Sequence, residues 1–192
     1  MNLNVKRIQK RFDEFQRKKK ESILAYKDKI HIVIYGAYNP PSDEKHLGEK
    51  ERLIKLRDRL REDGYTNTAI VEDFTSSEAS DTPNLEKSLD CLEWADLNIL
   101  VFTCRGKTGS VARELIHAID DPKILWKCRI FEEIDRGIPA METLLKEELS
   151  LQRYTVTQVK REDDGDLYEH VSSDVFKFLR KNIQRFVSRV NT

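Results

Sequence analysis

Glu114 is the residue on which a chemical reading of this sequence turns. It follows a short turn, Thr108-Gly109-Ser110, which itself follows the uncharged apolar run 97–102. Beyond the turn, Val111, Leu115, Ala118 and Ile119 recur at helical spacing, so the stretch reads as strand, loop and helix. In open α/β sheets ligands bind in the crevice outside the carboxyl ends of the strands. A carboxylate just over one turn into the helix that leaves such an edge is well placed to react. The amides around Gly109 and Ser110 would point outward and favour an anion such as phosphate, and Ser110 also suits a helix N-cap. A glutamate near a helix start has a plainer use, worth about 0.3–1 kcal/mol through the helix dipole. The sheet-edge location tips the balance towards chemistry.

Two further strand ends converge on the same edge in a fold of this kind. One is Tyr35-Gly36-Ala37-Tyr38-Asn39-Pro40, which brings two aromatic side chains and a glycine where backbone could approach a ligand. The other is Glu72-Asp73-Phe74, which brings acids, with Asp73 placed to bind or protonate a leaving group. The candidate catalytic residues are therefore Glu114 and Asp73. The candidate binding residues are Tyr35, Gly36, Tyr38, Thr108, Gly109 and Ser110. Neither a cofactor nor a metal is expected, because His31, His46, His117 and His170 have no ligand-like spacing. The turn matches neither a dinucleotide-binding fingerprint nor a Walker loop, which disfavours nucleoside triphosphate hydrolysis. Three scattered cysteines point to reduced thiols. Cys104, beside the turn, has no activating histidine near it in sequence and reads as a bystander.

These residues must be held by an alternation of strands and helices. The run 30–36 is nearly continuous in apolar residues and reads as a central strand. A helix over 48–62 follows, with Leu53, Leu56 and Leu60 on one face and Gly64 as its stop. The pattern predicts a second strand over 68–73, a mobile loop over 75–84, and a helix with Leu85, Leu89 and Leu92 inside. After the central strand and its helix, 123–131 reads as a fourth strand by β-propensity. A helix over 139–150, a fifth strand over 154–159 at an edge, a turn at 163–166 and a closing helix over 171–190 complete the chain. Five strands alternating with helices imply an α/β, flavodoxin-like three-layer sandwich with a mostly parallel five-stranded sheet. An extra charged helix occupies residues 1–28, and a single α/β domain spans 29–192.

Lys+Arg and Asp+Glu balance at 34 each in 192 residues, so net charge argues for neither nucleic acid nor membrane as a partner. The basic run Arg17-Lys18-Lys19-Lys20 reads as a solvated helix face. No apolar run approaches membrane-spanning length, and the start carries no apolar signal segment. A cytoplasmic location is expected.

The loop Tyr35-Gly36-Ala37-Tyr38-Asn39-Pro40, together with 95–102 and Gly109-Ser110-Val111-Ala112-Arg113-Glu114-Leu115, resembles the nucleoside 2-deoxyribosyltransferase-like superfamily over about residues 30–135. The resemblance implies that Glu114 is a nucleophile attacking C1′ of a nucleoside or nucleotide. It implies that Tyr38 stacks on the base, that Asp73 serves the leaving base, and that the amides of Gly109 and Ser110 hold a 5′-phosphate. This sequence departs from the pattern at Ser110, where a glycine is usual, and at Thr108, where transferases often carry an acid. A second resemblance is to TIR-type domains, whose NAD-cleaving members also use a helix glutamate. Both imply N-glycosidic bond hydrolysis or transfer at one carboxylate, in a homodimer, on a nucleoside, nucleotide or NAD-like ligand. The alternative is a non-catalytic nucleotide-sensing or protein-interaction module of the same fold.

Overall fold

A computed structural model describes residues 3–37, 47–75, 84–105, 109–161 and 163–190. The chain runs through α1 (Leu3–Tyr26), β1 (Ile32–Tyr35), α2 (Leu47–Glu62), β2 (Thr68–Ile70), α3 (Glu72–Thr75) and α4 (Asn84–Trp94). It continues through β3 (Leu97–Phe102), α5 (Gly109–Asp120), α6 (Pro122–Leu125) and β4 (Cys128–Asp135). The last elements are β5 (Ile138–Pro139), α7 (Thr143–Leu151), β6 (Val156–Lys160) and α8 (Asp164–Val190).

Alternation along the strands sorts the side chains into two cores. Ile32 and Ile34 of β1, with Leu97, Ile99 and Val101 of β3, face α2 and α8. Val33 and Tyr35, with Leu100 and Phe102, face α4, α5, α6 and α7. This period of two makes the sheet the middle of three layers. β2, β1, β3, β4 and β6 pair in that order, all parallel, and the two-residue β5 joins β4 antiparallel. This is the flavodoxin-like three-layer α/β arrangement, with six strands where five are expected; the added one is the short return after the Arg136-Gly137 turn, in which both residues take positive φ.

Several boundaries differ from the sequence reading. The second strand ends at Ile70, and Glu72 to Thr75 turn into a short helix. Residues 122–125 form a helical turn, not strand, because the Asp121 side chain accepts from the Lys123 amide (2.7 Å) and Pro122 sits at the helix start. β4 therefore begins at Cys128. The closing helix starts at Asp164, where Asp163 Oδ1 accepts from the Gly165 and Asp166 amides. On α4 the buried face is Ser88, Cys91 and Leu92, whereas Leu85 is exposed. α1 packs on α8 and buries Ile23, while Val5, Ile8, Phe12 and Phe15 stay exposed. Among the described residues, no helix is long and apolar enough to cross a membrane.

The carboxyl end of β4 carries two buried acids on opposite faces. Glu132 accepts from Lys146 Nζ (2.6 Å) and the Met141 amide (2.9 Å). Glu133 is bound by both Arg52 and Arg161 and accepts from the Cys104 amide (3.0 Å). Arg161 also pairs with the buried Glu49 and Arg52 with Asp164 (2.7 Å), so one network ties α2, β4, α8 and the loop after β3.

Candidate functional site

From β2 the chain crosses back past β1 to form β3, so the strand order reverses between β1 and β3. A cavity of about 360 Å³ opens at that switch point, where open α/β sheets take their ligands. Gly36 at the end of β1, Glu72 at the start of α3, Ser88 on α4, and Ser110, Arg113 and Glu114 on α5 are among its lining residues.

Glu114 reaches this cavity because it occupies a core-facing position of an apolar helix. The buried residues of α5 are Val111, Glu114, Leu115, Ala118 and Ile119, a single stripe at helical spacing. Glu114 is only 3% exposed, and Ser88 Oγ donates a hydrogen bond to its Oε1. Among the described residues it has no ion-pair partner. Burial raises its pKa to about 7, the Ser88 hydrogen bond pulls it down, and the nearby Glu72 charge pushes it up. Glu72, itself buried, is also raised from the usual carboxylate range, chiefly by desolvation. Two acids that both resist ionisation thus share one cavity wall.

The remaining predicted site residues divide into those the fold gathers and those it does not. Gly36, Gly109, Ser110 and Glu114 are brought together around the cavity. Gly36 is required by packing: a Cβ there would sit 2.5 Å from Leu53 Cδ1. Tyr35 is fully buried beneath the wall, its hydroxyl 3.5 Å from the Ser88 carbonyl, so it is a core residue rather than a lining one. Asp73 is held elsewhere. Its carboxylate accepts from the Ile70 amide (3.1 Å) and pairs with Arg57 (3.3 Å), and it does not line the cavity. Tyr38 and Thr108 lie outside the described residues, as does His46.

Ser88, Glu72 and Arg113 are among the lining residues that the sequence reading did not single out. Ser88 repeats with Cys91, Leu92 and Ala95 at helical spacing, a signal hidden by the leucines beside it. Glu72 is legible in the sequence as an acid at a strand end, beside the Asp73 to which the resemblance gives the leaving-base role. Cys104 is no poised thiolate: burial and the Glu133 charge push its thiol pKa up, and its Sγ donates to the Glu133 carbonyl (3.3 Å). Among the described residues, no cluster of three His, Cys, Asp or Glu side chains is placed to hold a metal.

In comparison with known proteins, the chain matches no family model, no curated protein and no solved structure.

Proposed function

We propose that this protein cleaves or exchanges the N-glycosidic bond of a nucleoside, nucleotide or NAD-like ligand, with Glu114 as nucleophile. The observation that supports the reading is a buried carboxylate, held by Ser88 and without an ion-pair partner among the described residues, in a cavity at the sheet's switch point. Ionised Glu114 attacks C1′ as the bond to the base breaks, giving a covalent sugar–enzyme ester and leaving the electron pair on the base. Glu72, whose carboxyl burial raises above the usual carboxylate range, supplies the leaving base with a proton. This role fits Glu72 better than Asp73, because Glu72 lines the cavity and Asp73 does not. A water then gives its proton to Glu72 and attacks C1′, releasing Glu114; a second base in place of water makes the reaction a transfer. Arg113 and the first amides of α5 supply positive charge for a phosphate on the sugar. The nucleoside 2-deoxyribosyltransferase-like and TIR-like resemblances, a homodimeric assembly and a cytoplasmic location are carried with the same reading.

The test is base release from deoxynucleosides, deoxynucleoside monophosphates and NAD, followed chromatographically for the natural protein and Glu114→Ala. Release that disappears in the variant supports the proposal. Equal release in both, or none in either, refutes catalysis; ligand-dependent thermal stabilisation without turnover would then favour a nucleotide-sensing module.

A further inference from the structure

A second cavity, of about 460 Å³, lies between β4, β6 and α8 at the amino ends of the strands, the edge of the sheet away from Glu114. Four cations line it, Arg129, Arg153, Lys177 and Lys181, against one carboxylate, Asp174, which pairs with Lys177 (3.0 Å). The chain as a whole is neutral, so this excess of positive charge is local.

Arg129 makes the imbalance specific. The half-buried arginines elsewhere, Arg52, Arg57 and Arg161, are each matched by a carboxylate. Arg129 instead donates to neutral acceptors, the Trp126 carbonyl (3.3 Å), the Cys128 carbonyl and the Tyr154 hydroxyl (3.3 Å). No carboxylate among the described residues forms an ion pair with it. Its guanidinium lies over the Phe178 ring, 5.2 Å from the centroid, and Phe178 in turn stacks on Trp126. The group is therefore held in place before any anion arrives.

The other charges are set around it with similar economy. Lys177 and Lys181 stand one turn apart on α8, where like charges repel. Arg153 follows the end of α7 at φ 57°, a left-handed position in which glycine is relaxed and arginine is strained. Thr155 and Thr157, two residues apart, add hydroxyl donors. The repulsion is offset if an anion binds among these groups, and planar guanidinium forks suit phosphate oxygens.

We propose that this groove is a binding site for a compact, multiply charged phosphate group, such as a triphosphate, separate from the cavity at Glu114. Recognition is of the phosphates. Phe178 is already covered, by Trp126 stacked on it and by Arg129 over its ring.

Titration calorimetry of the full chain with inorganic tripolyphosphate, without divalent metal, tests the site. Binding should weaken at least tenfold in Lys177→Gln/Lys181→Gln and steeply with added salt. It should tighten severalfold in Asp174→Asn, a variant that removes only the competing carboxylate, and remain unchanged in Arg105→Gln, an exposed arginine that lines neither cavity. A nucleoside triphosphate should bind within a few-fold of tripolyphosphate. No binding, unaltered binding in the double lysine variant with unchanged circular dichroism, or loss of binding in Arg105→Gln overturns the proposal. So does a strong preference for the nucleotide or for a single-stranded oligonucleotide.

Discussion

Replacing Glu114 by Gln separates the consequence of burying its charge from every other role of the residue. In the unfolded chain this carboxyl titrates near 4.5, and in the folded protein near 7, mainly because burial disfavours the charged form. The folded state thus holds its proton more tightly. Between pH 4.5 and 7 the unfolded chain has released the proton while the folded protein keeps it, so stability falls as pH rises through this window and levels off above it. At about 1.4 kcal/mol per pH unit of displacement, the Glu114 contribution amounts to about 3 kcal/mol. Glutamine keeps an oxygen able to accept from Ser88 and removes the titration. The variant should therefore gain stability relative to the natural protein as pH is raised, by about 3 kcal/mol between pH 4.5 and 8. For a chain of this size that is roughly 6–12 °C in the difference between the two melting temperatures. Thermal unfolding followed by circular dichroism at closely spaced pH values measures it. Comparing differences across pH cancels any constant packing change. Two melting curves that stay parallel from pH 4.5 to 8 would show that Glu114 is not a buried acid, and the reasoning about its reactivity would fall with it.

If Glu114 is the nucleophile, base release should rise with pH through about 7, and Ser88→Ala should move that midpoint upward by about one to two pH units, since a lost hydrogen bond to a charged group is worth about 1.5–3 kcal/mol. An unmoved midpoint in the pH–rate profile would remove Ser88 from the site's electrostatics. Gly36→Ala should destabilise by about 1–3 kcal/mol, because its Cβ meets Leu53 and Leu53 is fully packed; denaturant unfolding checks this, and partial recovery in Gly36→Ala/Leu53→Val would identify the clash. Glu133→Gln should cost about 3–5 kcal/mol, because Arg52 and Arg161 lose the carboxylate they share. A melting temperature within 2 °C of the natural protein's, against a shift of about 2–4 °C per kcal/mol, would contradict that account.

The layer architecture is legible in the residue pattern alone. Apolar runs such as Val33-Ile34-Tyr35 and 97–102, each ending in a turn and then a helical stripe, leave little alternative to a doubly wound parallel sheet. That pattern also puts Glu114 on a buried face, since Val111, Leu115 and Ala118 place position 114 on their own stripe. Local turn chemistry was weaker in the residue pattern: Asp121-Pro122 starts a helical turn within a segment whose composition favours strand, and Glu72 begins a helix within what reads as an extended run. Which acid at the second strand end joins Glu114 follows from packing between elements, since Arg57 of α2 captures Asp73. The same packing pairs Ser88 with Glu114 across two helices, and Arg129 with Phe178 across the sheet edge. Periodicity fixes which way a side chain points along its own element. Which partner it meets depends on how separate elements pack, and that information is spread over residues far apart in the chain.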